Sequence, residues 1–264
     1  MQNRHIDRKR YFDELAKTSE EFYIDYLKPY KNIGPGCKVL EIGCGEGGNL
    51  LPFAQAGCKV DGLDLAAGKI DNARKFFATL ETEGEFACAD FLKTNPFEKD
   101  GLFDIILIHD VIEHIEPEGK DAFFERLKMY LKPDGIIFFA FPAWQMPFGG
   151  HQQICRSKVC SKVPFMHVLP VFMYKAWLKM FGEQKDKIDE LLSIKRSRMT
   201  PEKFEKLCAG HGYGIKDRIF WFFSPHYKTK FNLTPHRLWM PLAHIPYLRN
   251  WFTTSCFYLI EESK

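Results

Sequence analysis

Val39-Leu40-Glu41-Ile42-Gly43-Cys44-Gly45-Glu46-Gly47-Gly48 is the stretch on which the fold turns. A β-rich run from Lys38 to Ile42 meets a glycine-dense turn, and Asn49 to Ala56 then reads as helix. Glycine tolerates positive φ and lets the backbone approach a ligand closely, so this junction reads as a ligand cradle. Gly43, Gly45 and Gly48 also satisfy GxGxxG, the dinucleotide fingerprint, so the turn by itself does not name its ligand.

Three neighbouring features narrow the choice. Glu41 stands before the turn, where a carboxylate suits a cationic amino-acid moiety and is awkward beside a pyrophosphate. Asp64, followed by Leu65, closes a second strand over Lys59 to Leu63, where a carboxylate can accept both ribose hydroxyls. Ala89-Asp90-Phe91 ends a third strand begun at Glu85. An acid followed by an aromatic there suits the exocyclic amine and ring face of an adenine.

Outward from the cradle the pattern alternates. Ala66 to Leu80 reads as helix and Phe103 to His109 as an apolar strand buried on both faces. Glu118 to Leu131 reads as an amphipathic helix closed by Lys132-Pro133-Asp134-Gly135, and Ile136 to Phe141 as another buried strand. Such alternation implies βαβ units and a parallel sheet with right-handed crossovers. Upstream, residues 8–28 carry Phe12, Leu15, Phe22, Tyr23, Tyr26 and Leu27 at helical spacing, ended by Pro29 and the Gly34-Pro35-Gly36 turn. After Pro142 the alternation stops. Residues 143–198 and 224–252 read as irregular, aromatic and basic. Between and after them come a capped helix from Thr200-Pro201-Glu202 to near Gly210, a strand over Ile215 to Phe223, and a last strand over Thr254 to Glu261.

With 264 residues, 45 % of them hydrophobic, the chain suits one large α/β domain. It has no run of about 18 uncharged residues that would cross a membrane. The N-terminal MQNRHIDRKRYFDE lacks the apolar segment of a secretory signal, so a cytoplasmic location is expected. The 8 cysteines form no CxxC pair and read as buried reduced thiols. The net charge of +3 conceals an asymmetry. Residues 1–144 hold 18 Lys/Arg against 25 Asp/Glu, and residues 145–264 hold 19 against 9. The first part reads as a scaffold, the second as its substrate-facing elaboration.

VLEIGCGEGG, GLDL, CADF, FDIILIHDVIEHI and LKPDGIIFFAFP, in this order and spacing, resemble the class I S-adenosylmethionine-dependent methyltransferases. The resemblance covers about residues 37–142, and more loosely 200–261. It implies a Rossmann-like, mostly parallel seven-stranded sheet with an antiparallel last strand. It also implies a single methyltransferase domain over 1–264: an N-terminal helical lid (1–36), a cofactor-binding core (37–142) and substrate-capping insertions after strands 5 and 6 (143–199 and 224–253). The implied cofactor is S-adenosyl-L-methionine. Glu41, Gly43, Cys44, Gly45 and Gly47 would line its methionine part, Asp64 and Leu65 the ribose, Asp90 and Phe91 the adenine, and His109 the reactive sulfonium. Tyr11 is the lid residue expected over it.

Methyl transfer from a sulfonium is an in-line displacement, so the protein chiefly aligns donor and acceptor. A hydroxyl acceptor usually also needs a base. Asp110-Val111-Ile112-Glu113-His114 resembles the ExxEH metal site of the ubiquinone-biosynthesis O-methyltransferases and of a small-RNA 2′-O-methyltransferase family, with Asp110 where those have Glu. Asp110, Glu113 and His114 are therefore the metal-ligand candidates. His114 and His151 are the catalytic candidates, His151, within Gly149-Gly150-His151-Gln152-Gln153, serving either as a fourth metal ligand or as the base. The metal-free mechanism is preferred on the sequence, because the same loop motif also occurs in members that use no metal.

The basic, aromatic second part implies a small-molecule, glycan or lipid-linked acceptor of anionic character, with O-methylation as the reaction. An RNA methyltransferase and a non-catalytic cofactor-binding protein are the alternatives. A net +10 spread over 120 residues, with no RNP-like motif, speaks against nucleic acid. Leu169 to Phe181 (LPVFMYKAWLKMF), with Lys175 and Lys179 one turn apart, reads as a helix packed on the core or, alternatively, as a peripheral contact with a membrane.

Overall fold

Val39, Leu40 and Ile42 are apolar on both faces of one strand, so that strand must lie at the centre of a sheet covered on both sides. The computed structural model, which describes residues 7–263, places it there. The strands are β1 Lys38–Ile42, β2 Lys59–Asp64, β3 Glu85–Cys88, β4 Phe103–His109, β5 Leu131–Phe141, β6 Tyr213–Phe223, β7 His236–Arg237 and β8 Ser255–Glu262. They form one sheet in the order β3-β2-β1-β4-β5-β8-β6-β7. β3, β2, β1, β4 and β5 pair in parallel, whereas β8 runs antiparallel to both β5 and β6. The sheet thus has eight strands, not seven. The additional one is the two-residue β7, which pairs antiparallel with β6 at the edge.

The helices are α1 Arg8–Thr18, α2 Ile24–Leu27, α3 Leu51–Gln55, α4 Ala67–Thr79, α5 Lys120–Lys128, α6 Val171–Met180, α7 Lys185–Ser197, α8 Pro201–Gly210, α9 His226–Phe231 and α10 Met240–Ala243. A π-helical turn, Ser19–Tyr23, joins α1 to α2. Residues 1–6 of the expected lid lie outside the described residues. The alternation along β4 divides the core. Ile106 and Ile108 join Leu40, Phe139 and Phe204 on one face, while Ile105 and Leu107 join Val39, Phe138 and Phe257 on the other. Each such fully buried side chain contributes about 1.5–3 kcal/mol of transfer free energy.

Three expectations need correction. Lys132-Pro133-Asp134-Gly135 is a bulge within β5 rather than a turn before it, since the register steps from Phe103↔Leu131 to Ile105↔Ile136. Residues 143–198 are not irregular throughout. α6 and α7 close a satellite core of Cys155, Cys160, Tyr174, Leu178, Ile188 and Leu191. α6 is the helix read over Leu169 to Phe181, packed on this core through Tyr174 and Leu178, whereas α7 was not foreseen. Likewise 224–252 contains α9, β7 and α10. All eight cysteines are free thiols, and Cys88 alone is exposed.

His211, just after α8, bridges to α5 through Glu125 (2.7 Å) and Asp121 (3.0 Å). Partial burial works against its charge, but the two carboxylates prevail and hold its pKa above the usual histidine value. A raised histidine pKa stabilises the fold fully below the unfolded value of about 6.5, and that stability fades as pH rises through the folded value. The melting temperature of the parent should therefore fall relative to that of His211→Gln between pH 6 and pH 8. Parallel melting curves for the two would refute the bridge.

Candidate active site

The carboxyl ends of parallel strands are where backbone and side chains are left without sheet partners, and three loops converge there. The first follows β1. Gly43 N and Cys44 N both donate to Leu63 O (2.8 and 2.9 Å), which ties the turn to the end of β2. Gly43 has φ +75°, and a Cβ on it would lie 2.4 Å from Val111 Cγ2, so only glycine fits. Cys44 is buried with its thiol pushed well above its usual range, chiefly by loss of water, and is a packing residue rather than a nucleophile.

Glu41 is buried beneath this turn. Its Oε1 accepts from Asn49 Nδ2 (2.7 Å), while its Oε2 has no hydrogen-bond partner among the described residues. Loss of water pushes its pKa up to about 8 against the Asn49 bond, with a smaller push from the Asp64 charge. Asp64 accepts from Gly45 N (3.0 Å) and Ala66 N (2.8 Å), with Lys69 Nζ 3.6 Å away. A carboxylate has about four acceptor sites, so further donors can still be received. Leu65 beside it is 73 % exposed, a bare apolar surface. Asp90 is engaged by Leu92 N and pairs with Lys93 (3.0 Å), and the Lys93 hydrogen bond holds its carboxyl below the usual range. Phe91 departs from the expected role. Its ring is buried against Phe123 and Tyr130 (centroids 5.0 and 5.2 Å), so no ring face is offered to an adenine.

The second loop follows β4. His109 lies beside Tyr23 (centroids 5.8 Å), and Asp110 takes φ +52° while its N–H donates to Ala140 O on β5. Enclosure in the cavity opposes charge on Asp110. His109, His151, His226 and His114 outweigh that and hold its carboxyl below the usual range. Glu113 is buried, and neither of its oxygens has a hydrogen-bond partner among the described residues. Burial first, and the Asp110 charge second, raise its pKa well above normal. Lys120 clasps this loop, donating from Nζ to Ile112 O (2.5 Å) and Ile115 O (2.8 Å), and burial lowers its pKa to about 8.

The third loop follows β5. A Cβ on Gly150 would lie 2.2 Å from that of His167, so the chain can press this closely only through glycine. His167 is itself anchored by Nε2 to Trp144 O (2.8 Å), and Lys195 Nζ donates to both His167 O and Leu169 O (each 2.6 Å). This anchoring delivers His151 to the second loop. Its ring meets that of His114 (centroids 4.9 Å, nearly perpendicular), and its Nε2 lies 3.6 Å from Glu113 Oε1. Burial, then the neighbouring His114, lowers the His151 pKa to about 3, so that imidazole is neutral at physiological pH; the more exposed His114 is shifted in the same direction, chiefly by desolvation.

Glu113, His114 and His151 each offer one ligand atom, all within 4.8 Å of one another. His151 therefore joins the cluster, whereas Asp110, expected as a ligand, is not one of its members. His114 and His151 border a cavity of about 300 Å³. Its walls also include Tyr11, Tyr23, His109, Asp110, Tyr227 and Lys230. Sequence reasoning did not single out Tyr23 or the wall residues on α9. Their one signal was the i, i+4 spacing of His226 and Lys230 after β6. Arg8 and Glu46 were also missed. Arg8 pairs bidentately with buried Glu46 (2.6 and 2.5 Å) and closes α1 over the glycine turn.

Residues 39–135 match the family model of a methyltransferase domain. This match and the fold support a class I S-adenosylmethionine-dependent methyltransferase domain over that stretch. The chain is 29 % identical over 211 residues to phosphoethanolamine N-methyltransferase 1 of Zea mays, covering 74 % of this chain and 40 % of that one. It is 34 % identical over 155 residues to a ubiquinone biosynthesis O-methyltransferase of Bartonella tribocorum, covering 54 % and 59 %. The chain thus spans less than two thirds of the length of these relatives. Among solved structures, an S-adenosylmethionine-dependent methyltransferase from Clostridium acetobutylicum shares its fold (TM-score 0.59, 13 % identity, 94 % and 92 % covered). So does the magnesium protoporphyrin IX methyltransferase of Synechocystis (TM-score 0.55, 15 % identity, 95 % and 84 % covered).

The residues present fit S-adenosylmethionine, the cofactor of the family. The unpartnered Oε2 of Glu41 suits a cationic group, and the Gly43 turn leaves room where a side chain would intrude. A cation beside Glu41 favours its ionised form, so binding should release a proton at neutral pH and tighten as pH rises from 6 towards 8. Calorimetry of S-adenosylhomocysteine binding in buffers of different ionisation enthalpy measures this release, and Glu41→Gln should abolish it. Asp64→Ala should weaken the same binding about 10- to 100-fold, from about 1.5–3 kcal/mol for a hydrogen bond to a charged group. An Asp64→Ala variant with parental affinity, or proton release unchanged in Glu41→Gln, would refute these roles.

Proposed function

We propose that this chain O-methylates a small, anionic acceptor in the cytoplasm, with S-adenosylmethionine as methyl donor. The observation that carries this reading is the cavity at the ends of β4 and β5, whose walls include His114, His151 and Lys230 of α9, with Glu113 clustered beside the two histidines. About 300 Å³ lies at the small end of ligand pockets, which favours a small molecule over a polynucleotide. Relatives include a phosphoethanolamine N-methyltransferase and a ubiquinone biosynthesis O-methyltransferase, both consistent with small acceptors. No helix among the described residues is long and apolar enough to cross a membrane.

Bound S-adenosylmethionine supplies the electrophilic methyl group. In this reading Glu41 meets its cationic amino-acid end, Asp64 orients its ribose, and α1 with Tyr11 keeps water from the cavity. Alignment of this kind is worth about 7–11 kcal/mol of barrier. The neutral His151 imidazole receives the proton of an acceptor hydroxyl, with Glu113 behind it stabilising the imidazolium. Lys230 draws the acceptor's negative charge to the opposite wall.

A second reading is favoured by the trio itself, since two imidazoles and a buried carboxylate without partners form a cation-ready donor set. A divalent cation held by Glu113, His114 and His151 would lower the pKa of an acceptor hydroxyl.

An acceptor screen read by S-adenosylhomocysteine release tests both. Turnover should survive exhaustive chelation. His151→Ala should lose about 10²–10⁴-fold in kcat while keeping cofactor affinity. Raising salt should raise KM for the acceptor and leave cofactor affinity nearly unchanged. Activity lost on chelation and restored by Mg²⁺, Mn²⁺ or Zn²⁺ would establish the metal reading instead. A neutral best acceptor without salt dependence would overturn the anionic assignment, and a nitrogen acceptor the O-methylation.

A further inference from the structure

The two insertions that wall the cavity both expose large apolar side chains, and they meet each other. α6 buries Tyr174 and Leu178 against the satellite core and turns Val171, Phe172 and Met173 to solvent, with Phe172 73 % exposed. Phe165, upstream of α6, meets Trp251 of the second insertion (centroids 5.9 Å). Val168, Leu169 and Pro170 share a groove with Tyr247, which is 67 % exposed and is followed by the exposed Leu248. Soluble proteins rarely leave such a patch bare without a partner for it.

The patch is held in shape. Glu202 receives Tyr247 N (3.1 Å), Arg249 Nε (3.2 Å) and Asn250 Nδ2 (2.7 Å), which pins the second insertion. Lys195 clasps the backbone of the first, as described above. Cations surround it. Lys175 and Lys179 are exposed on α6, and Arg198, Lys203 and Lys206 line the groove beside Tyr247. Two copies facing each other through this patch would bring like charges together, which disfavours self-association. Apolar side chains ringed by Lys and Arg match instead an interface in which acyl chains lie beneath negative headgroups.

We propose that this face docks the enzyme on an anionic lipid bilayer, with α6 and the 245–252 loop entering the headgroup region beside the cavity. The proposal does not depend on the identity of the acceptor. Vesicle binding and cofactor binding read it without turnover.

The full chain is sedimented with phosphatidylglycerol–phosphatidylcholine vesicles and, separately, with pure phosphatidylcholine. Binding to the anionic vesicles should exceed that to the neutral ones and fall as salt rises. The double variants Phe172→Asp/Met173→Asp and Lys175→Glu/Lys179→Glu should each weaken it by about tenfold or more, with S-adenosylhomocysteine affinity unchanged. All four residues are exposed, so both variants should fold, and unchanged cofactor affinity verifies that they do. Absence of binding to anionic vesicles, equal binding to neutral ones, or full binding by both variants would overturn the proposal. So would a parent dimer in sedimentation equilibrium that the Phe172→Asp/Met173→Asp change dissolves.

Discussion

The parallel pairing of β1 with β4 is the constraint from which the site follows. Ile42 lies opposite Ile108, so the glycine turn after β1 and the His109–Asp110 step after β4 emerge side by side. Hydrogen bonds from Gly43 and Cys44 to Leu63, and from Asp110 to Ala140, extend the alignment one strand further on each side. Four strand ends are thereby held in one row. Loops separated by about a hundred residues of chain have nowhere to go but the same small volume.

Burial sets much of the electrostatics of that volume. Glu41 and Glu113 are held towards their protonated forms and His151 towards its neutral one, because burial penalises each charged state. Asp110 is the exception, held towards its charged form with His109 foremost among the groups that favour it. The ligand-free site is therefore close to neutral yet lined with groups that ionise when a cation arrives. A sulfonium cofactor carries its positive charge into such surroundings, where a carboxylate acts through a lower dielectric than in water.

Two buried lysines do much of the mechanical work around the cavity. Lys120 and Lys195 each donate to two backbone carbonyls, and each fastens a loop that presents a site histidine. Burying an ammonium without a carboxylate partner is costly, and the paired carbonyls offset that cost by replacing its hydration. The return is conformational. Loops carrying His114 and His151 are held rather than mobile, which an alignment-driven reaction requires. The Arg8–Glu46 pair does the same for α1 above the turn.

The glycine turn, the acids at 41, 64 and 90 and the β–α alternation of residues 37–142 were legible in the sequence, because each depends on local backbone conformation or on strand periodicity. Of the helices of 143–198, α6 was legible as the apolar stretch Leu169 to Phe181, whereas α7 was not, since its few apolar residues Ile188, Leu191 and Ile194 lie among many charged ones. Spacing alone marked Asp110, Glu113 and His114 as one set. Packing instead united Glu113 and His114 with His151 and turned Phe91 into the core, because which groups meet depends on how loops fold back and where volume must be filled. The sequence by itself determined which chemical groups stand at the strand ends. Only the tertiary structure decided which of them face each other, how much water they keep and therefore which protons they hold.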